Sequence, residues 1–352
     1  MISAIVVNFN GLAYLPDCLA ALHAQDPAPE EVLLVDNASD DGSTAWVAAH
    51  YPAVRILDAG DNRGPARARN LGVDAASNET CLLLDNDVVL QPGALATLRA
   101  ELDGAPETAI VQARSLCGDD PDRVHYDHAD LHFLGTLVLH NWFRPLSSAT
   151  APSGPVGAAI ALCFLTRRSV YRAVGGFDEK MFILYEDNEF SWRVRMCGHD
   201  IRLAPEARCL HLGGTVGLSV RSAEAPYPAR RTFLHCRNRW FVLGACMRWR
   251  TLLFTLPAQL AYAGLYFGFA VSRGHAIAAL RGHFAALLAF PAILRRRRPV
   301  QSIRVRPDRD LLVALPMTAN PGLADRGFKA WLRRTSDRGF ALYWRVVRGI
   351  CG

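Results

Sequence analysis

Residues 82–88, LLLDNDV, are the clearest indication of the fold, because an apolar run typical of a buried strand ends there in two carboxylates. A strand covered on both faces reads as a continuous apolar run, as in parallel sheets. Ligands of such sheets lie beyond the carboxyl ends of the strands, where Asp85 and Asp87 would stand. Their hard oxygens suit Mg²⁺ or Mn²⁺. An Asp/Asn turn that closes the strand explains the same residues without a ligand.

The chain upstream alternates β-branched runs with segments of helical spacing. This alternation predicts an α/β fold with a mainly parallel sheet and helices on both faces. A second polar cluster, residues 36–42 (DNASDDG), follows another strand and should share its edge with Asp85 and Asp87. The predicted strands cover 3–9, 31–35, 54–57 and 81–84, and the predicted helices cover 14–24, 44–50 and 65–76.

The pattern is less regular after residue 116. An irregular excursion is predicted over 117–155, and a strand over 156–165. A short helix over 167–174, a turn over 175–179 and a helix over about 186–197 follow. Near residue 225 arginines and aromatic residues begin to interleave. The chain is therefore expected to divide into an α/β domain over 1–225 and a helical region over 226–352.

The composition is that of a folded globular protein, with 352 residues, 51% hydrophobic and 20% charged. The net charge of +6 divides into −13 over residues 1–200 and +19 over 201–352. Such a basic tail typically binds phosphate groups, either in nucleic acid or in anionic lipid. Nine scattered cysteines without a Cys-x-x-Cys pair favour a reducing compartment and argue against structural zinc. The start of the chain shows no signal-peptide pattern.

Three further segments carry residues that could do chemistry. Glu186 and Asp187 open a helix, where acidic residues either complement the helix dipole or place a general base. His211 precedes a pair of glycines and is either a structural histidine or a metal ligand. Residues 62–70 (NRGPARARN) bring arginines to a helix N-terminus, either as solvated side chains or as an anion site.

Taken together, these segments resemble family-2 glycosyltransferases of the GT-A fold, over about residues 1–215. The opening VVNFNG is most similar to the rhamnosyl- and galactofuranosyltransferase branch that builds bacterial surface polysaccharides. Five motifs of this sequence occur in the same order as in the family, and together they identify the family more specifically than any single motif does. They are residues 6–11 (VVNFNG), 34–43 (LVDNASDDGS), 64–72 (GPARARNLG), 84–87 (LDND), and 175–179 (GGFDE) with 186–187 (ED) and 190–193 (FSWR).

The resemblance implies roles for individual residues. Asp36 would recognise the nucleotide base, Asp85 would lie near the ribose or the metal, and Asp187 would be the catalytic base beside Glu186. The nucleotide-sugar half would cover 1–115 and the acceptor half 116–225. The metal ligands would be Asp87, His211 and Asp85, and the nucleotide-sugar site would comprise Val7, Asn8, Asn10, Asp36, Arg69 and Asp85.

The expected reaction is transfer of one sugar from a UDP- or dTDP-linked donor to a lipid-linked or cell-surface glycan acceptor. A divalent cation, Mg²⁺ or Mn²⁺, would offset charge on the diphosphate leaving group. One carboxylate base without a protein nucleophile predicts inversion. The Gln-x-x-Arg-Trp motif of processive synthases is missing, so single addition is favoured.

Other functions fit the sequence less well. A nucleotidylyltransferase would need a glycine-rich basic loop after the first strand, and residues 8–11 (NFNG) lack one. A NAD-dependent dehydrogenase would need Gly-x-Gly-x-x-Gly there. A membrane-surface protein that binds nucleotide-sugars without transferring them stays open, although Asp85, Asp87, Asp187 and His211 together argue against it.

The tail carries two apolar stretches flanked by arginine. Residues 251–271 hold no formal charge and are long enough to span a bilayer, and 276–294 form a second stretch. Arginines at both outer ends favour interface-lying helices or an inserted hairpin, and a soluble helical domain or dimer face is the third alternative. Nucleic-acid binding is not expected. The predicted location is the cytoplasmic face of the inner membrane, peripheral or as a hairpin, beside anionic lipid.

Overall fold

A computed structural model of the chain describes residues 1–213, 227–318 and 327–351. The predicted boundary between residues 225 and 226 lies outside these ranges. The chain divides into two compact units. The first comprises Met1–His128, Leu139–Val194 and His199–Gly214, and the second comprises Ala129–Val138, Arg195–Gly198 and Thr215–Gly352.

Strands concentrate in the first unit and the long apolar helices in the second. The strands are β1 Ile2–Asn8, β2 Glu31–Asp36, β3 Arg55–Asp58, β4 Thr80–Asp85, β5 Val88–Leu90, β6 Thr108–Cys117, β7 Asp120–Tyr126, β8 Ala129–Leu131, β9 Leu137–Leu139, β10 Cys163–Arg167 and β11 Asp200–His211. The α-helices are α1 Leu15–His23, α2 Ser43–His50, α3 Pro65–Ala75, α4 Ala94–Asp103, α5 Arg168–Ala173, α6 Glu186–Met196, α7 Ala229–Cys246, α8 Trp249–Ser272, α9 Ala276–Leu288, α10 Phe290–Ser302, α11 Asp308–Leu311 and α12 Gly327–Val347.

The first unit is built on one large sheet in the order β3-β2-β1-β4-β10-β6-β11-β5, with β7 added beside β6. Strands β3, β2, β1 and β4 are parallel, as are β6 and β11. Helices α1 and α4 cover one face, and α3 packs on the other, where Gly72 lies against Ile5 and Val35. The predicted α/β fold with a mainly parallel sheet is thereby confirmed.

Two local predictions are wrong. Residues 117–155 are not simply irregular, because β7, β8 and β9 lie there. The start of strand β7 carries the exposed Pro121 and Asp122, residue types that are uncommon in strands, so the sequence does not indicate it. The predicted strand over 156–165 begins only at Cys163, and Val156 makes an isolated bridge to Ile201. The intervening backbone leaves the sheet and contributes Ala161 to the polar cluster described below.

The second unit confirms a C-terminal helical region. Its helix α7 packs against α9 and α10, and α8 packs against α12. Among the described residues, α8 is the one helix long and apolar enough to cross a bilayer by itself. Helices α9 and α10 meet that test only as a pair, and they are bent by 61° at their junction.

Candidate active site

A buried polar network closes the carboxyl ends of β1 and β2. Asn8 Nδ2 donates to Asp36 Oδ1 (2.8 Å) and to Ser43 Oγ (2.9 Å), and Asn8 Oδ1 accepts from Asn86 Nδ2 (2.8 Å). Asp36 also accepts from the amide and the hydroxyl of Ser39. The fully buried Asn8 therefore fixes Asp36 on one side and the loop after β4 on the other.

The remaining residues of the predicted nucleotide-sugar site lie at the same edge. Val7 pairs with Asp85 in the sheet register, and its carbonyl accepts from the amide of Asn86 (3.2 Å). Asn10 is exposed, with a positive φ of 49°. Its Oδ1 accepts from the amide of Asp40 (2.9 Å). Sheet topology thus brings Val7, Asn8, Asn10, Asp36 and Asp85 together.

Asp87 and His211 meet because β5 and β11 are antiparallel neighbours. His211 is opposite Val88, the residue after Asp87. His211 Nε2 lies 3.1 Å from Asp87 Oδ2, and both side chains are nearly buried. Gly213 leaves space beside this carboxylate, since a Cβ there would lie 2.8 Å from Asp87 Oδ2. The second glycine of the motif, Gly214, lies outside the described residues.

This pair fits a divalent cation. The separation of 3.1 Å between Oδ2 and Nε2 matches two adjacent ligands of an octahedral ion, about 3 Å apart for bonds near 2.1 Å. Within the ranges that the structure describes, no three His, Cys, Asp or Glu side chains form a metal-binding group. The geometry therefore suits an ion that Asp87 and His211 supply with two ligands, and its remaining ligands would not come from this pair.

Arg69 links Asp85 to the start of α6. Its Nη2 donates to Asp85 Oδ1 (2.6 Å) and to the carbonyl of Ala161, and its Nη1 lies 3.8 Å from Glu186 Oε1. Arg69 Nε and Nη1 and Glu186 Oε2 are buried without a hydrogen-bond partner. The guanidinium thus joins the strand edge to the carboxylates of α6, and unsatisfied polar atoms remain between them.

The two carboxylates of α6 differ in environment. Burial, reinforced by the neighbouring Asp187 carboxylate, raises the pKa of Glu186 to about 8. Burial also raises the pKa of Asp187, a half-buried side chain whose Oδ1 accepts from the amide of Asn188 (2.7 Å). Glu186 therefore holds a proton near neutral pH, and Asp187 is the more accessible of the two.

Glu189 is engaged elsewhere. Its carboxylate accepts two hydrogen bonds from Arg193, and both side chains are fully buried. Arg193 also donates to the carbonyls of Val174 and Gly176. This pair fixes α6 to the GGFDE turn.

Sequence reasoning missed two features of the site. His125 in β7 places its Nδ1 2.7 Å from Nδ1 of His211, but it stands in an Asp-rich stretch with no motif to single it out. Three residues just before Glu186, namely Phe182, Leu184 and Tyr185, have positive φ values of 65°, 67° and 76°. Strained backbone of this kind clusters at functional sites, and only a structure reveals it.

Comparison with known proteins shows the family of the chain. Residues 3–175 match the profile of the family described as glycosyl transferase family 2. Over 235 residues the chain is 30% identical to N-acetylglucosaminyl-diphospho-decaprenol L-rhamnosyltransferase of Mycobacterium tuberculosis. This alignment covers 60% of this chain and 76% of that protein. It is 32% identical over 140 residues to succinoglycan biosynthesis protein ExoO of Rhizobium meliloti, over 39% of this chain and 40% of that protein.

Solved structures share the fold at low sequence identity. The chain superposes on GalNAc-T7 with UDP, GalNAc and Mn²⁺ at a TM-score of 0.56 and 15% identity, covering 78% of this chain and 54% of that one. It also superposes on the mannosyltransferase PcManGT from Pyrobaculum calidifontis, in complex with GDP-Man and Mn²⁺, at a TM-score of 0.50 and 17% identity. That match covers 99% of this chain and 86% of that one. The fold is therefore that of the GT-A glycosyltransferases.

Proposed function

The chain belongs to glycosyltransferase family 2, and from this premise we propose that it transfers one sugar, with inversion, from a nucleotide-diphospho-sugar to a lipid-linked or cell-surface glycan acceptor. The UDP- and dTDP-linked sugars are the donors to test. The observation that carries the proposal is the Arg69 bridge, which joins Asp85 at the strand edge to Glu186 beside Asp187. A donor site and a proton acceptor are thus parts of one cluster.

We assign the general base to Asp187. A base must be ionised before it can accept the proton of an acceptor hydroxyl. With its pKa near 8, Glu186 is mostly protonated at pH 7 and serves that role poorly. Its neutral form instead spares Asp187 the repulsion of a second buried charge. Since no protein nucleophile stands in the proposal, the sugar undergoes a single displacement and its configuration inverts.

Asp87 and His211 would hold the divalent cation. Bound there, Mn²⁺ or Mg²⁺ would neutralise charge that develops on the departing diphosphate. Asp85 is a weaker candidate for a ligand, because Arg69 already engages its Oδ1. An imidazole ligand suits Mn²⁺ better than the harder Mg²⁺.

The nucleotide-sugar would lie across the edge formed by β1, β2 and β4. Asp36 is proposed to contact the base, and Asp85 the ribose. The exposed Asn10 is placed to contact ligand directly. The buried Asn8, Val7 and Arg69 would act by holding Asp36, Asn86 and Asp85 in position.

The proposed acceptor places the enzyme at the cytoplasmic face of the inner membrane. The Mycobacterium tuberculosis relative acts, by its name, on a sugar attached to diphospho-decaprenol, which is a membrane lipid. A chain of similar specificity needs access to the bilayer surface. The basic, apolar helices of the second unit are suited to an anionic membrane, in either a peripheral or a hairpin-inserted form.

A transfer assay tests the proposal. Purified full-length protein is incubated with UDP- and dTDP-sugars, Mn²⁺ and a short-chain polyprenyl-diphosphate-sugar acceptor, and the anomeric configuration of the product is read by NMR. We expect one sugar per acceptor with inverted configuration, lost on chelation. A retained configuration, or activity that survives Asp187→Asn, contradicts the assignment.

A further inference from the structure

Helix α9 has the reverse of the polarity expected for a helix on a soluble protein. Its large apolar side chains face outward, and small residues face the protein core. Ile277 is 73% exposed and Phe284 is 60% exposed, whereas Ala279, Gly282 and Ala286 are buried. The outward residues recur at helical spacing and form one continuous stripe: Ile277, Leu280, Phe284, Leu287 and Leu288.

The small residues fix this orientation. A Cβ on Gly282 would lie 2.5 Å from the carbonyl oxygen of Phe233 in α7, so only glycine allows the two helices this close approach. Ala279 and Ala286 are buried on the same side. Since larger side chains cannot replace them against α7, the stripe cannot rotate inward.

Helix α8 adds a second apolar stripe and is held along its middle. Gln259 donates to the carbonyl of Phe133 (2.8 Å) and accepts from the guanidinium of Arg239. Beside this contact, α8 exposes large residues at helical spacing: Leu253, Leu256 and Leu260. A helix whose midpoint is bonded to a buried arginine and to loop backbone is covered by protein on one side, which suits lying at an interface better than crossing a bilayer.

The charge around these stripes has one sign. Residues 225–307 contain 14 arginines and no Asp or Glu. Several of the arginines are exposed next to the apolar stripes, at Arg250, Arg273, Arg281, Arg295 and Arg298. Such a surface complements anionic lipid headgroups. A symmetric dimer through the same surface would place equal patches opposite each other and bring arginine against arginine.

We infer that the outer faces of α8 and α9 form a monotopic docking surface for an anionic lipid bilayer. Both helices lie in the plane of one leaflet, with their apolar stripes among the acyl chains and their arginines at the headgroups. The inference rests on the proposed function in that a lipid-linked acceptor gives the surface its purpose. It goes further by choosing the interfacial arrangement over a hairpin.

Vesicle flotation of the full chain tests the surface. We expect binding to phosphatidylcholine/phosphatidylglycerol vesicles and much weaker binding to pure phosphatidylcholine. The double variant L280S/F284S should reduce partitioning at least about tenfold, because two buried apolar side chains are lost. R281Q/R295Q should reduce binding about fivefold per charge, with less salt dependence. Arg172→Gln, which removes one positive charge from the first unit, should bind as wild type.

Labelling separates lying on the bilayer from crossing it. In a Cys197→Ser background, where the remaining cysteines are buried, Arg250→Cys and Arg273→Cys report the two ends of α8. Protein bound to preformed vesicles should react at both positions with an impermeant maleimide. Protection of one end alone means that α8 spans the bilayer and overturns the inference.

Other outcomes are equally decisive. Full solubility beside anionic vesicles overturns the inference, as does a dimer in ultracentrifugation that L280S/F284S converts to monomer. Circular dichroism of L280S/F284S checks its folding, and R281Q/R295Q tests the surface without altering apolar residues. Transfer to a water-soluble acceptor should persist in both variants. Vesicle binding without any transfer contradicts the proposed function, whereas transfer without vesicle binding contradicts the docking surface.

Discussion

His125 Nδ1 lies 2.7 Å from His211 Nδ1, so the two rings share one hydrogen bond and one of them must supply its proton. When His211 is the donor, its Nε2 is unprotonated and directs a lone pair toward the space beside Asp87 Oδ2. Histidines that bind metals commonly donate the N–H of their second ring nitrogen to a hydrogen-bond acceptor. His125 would thus act on the proposed cation site through His211.

Replacing His125 should weaken cation binding without removing a ligand. His125→Phe keeps a ring but loses the nitrogen, and Mn²⁺ affinity should fall about 10- to 100-fold, as for other losses of a ligand's partner. Calorimetry with Mn²⁺ and UDP or dTDP measures it. His125→Asn retains a polar atom near the same position and should recover part of the affinity. Equal affinities in both variants and the wild type would show that His125 has no part in the site.

Asp87→Ala should abolish cation-dependent binding of the nucleoside diphosphate, since the carboxylate is one of the two proposed protein ligands of the cation. Titration with UDP or dTDP, with and without Mn²⁺, measures the loss. Mg²⁺ should support weaker wild-type binding than Mn²⁺, because one of the proposed ligands is an imidazole. Asp74→Ala removes an exposed carboxylate of the same unit and serves as control. Unchanged affinity in Asp87→Ala rules out the assignment.

Asp187→Asn should retain donor affinity and lose at least about 10²-fold in transfer rate, because an amide keeps the shape but cannot accept a proton. Glu186→Gln should lose much less, since a side chain that is already neutral at pH 7 resembles glutamine. Measuring kcat and KM for both variants separates the roles. A larger loss of transfer rate in Glu186→Gln than in Asp187→Asn would identify Glu186 as the general base.

The parallel half of the fold follows closely from the sequence, whereas the site follows only in part. The runs that end at Asp36 and Asp85 are long, apolar and bounded by turn residues, so both strands and their shared edge are predictable. The pairing of Asp87 with His211 depends on the register of β5 and β11, which are 124 residues apart at that contact and leave no local signal. The Arg69–Glu186 contact is likewise purely tertiary.

Glu186 should also make stability depend on pH. Its folded pKa of about 8 exceeds the ordinary value of 4.5, so the folded state binds its proton more tightly. The contribution of Glu186 to the free energy of unfolding is fully present below about pH 4.5. It is lost as the pH rises toward 8, by at most about 1.4 kcal/mol per pH unit. Urea unfolding from pH 5 to 8 should show a shallower decline for Glu186→Gln. The exposed Glu206→Gln should follow the wild type, and parallel profiles for all three proteins would refute the assignment.

Gly64→Ala should impair both stability and catalysis. Gly64 has φ 89° and ψ 169°, a conformation essentially confined to glycine. A Cβ there would lie 2.1 Å from the carbonyl oxygen of Phe182, at the start of the strained segment that leads to Glu186.

Gly60 is a matched control, because its φ of 79° is also positive but a Cβ there meets nothing within 4 Å. Gly60→Ala should cost about 1–2 kcal/mol of unfolding free energy from backbone strain alone. Gly64→Ala should cost a further 1–3 kcal/mol, roughly the penalty of overpacking, and lower kcat by displacing the carboxylates of α6. Equal losses of stability and activity in the two variants would mean that Phe182 gives way freely and does not set the position of Glu186 and Asp187.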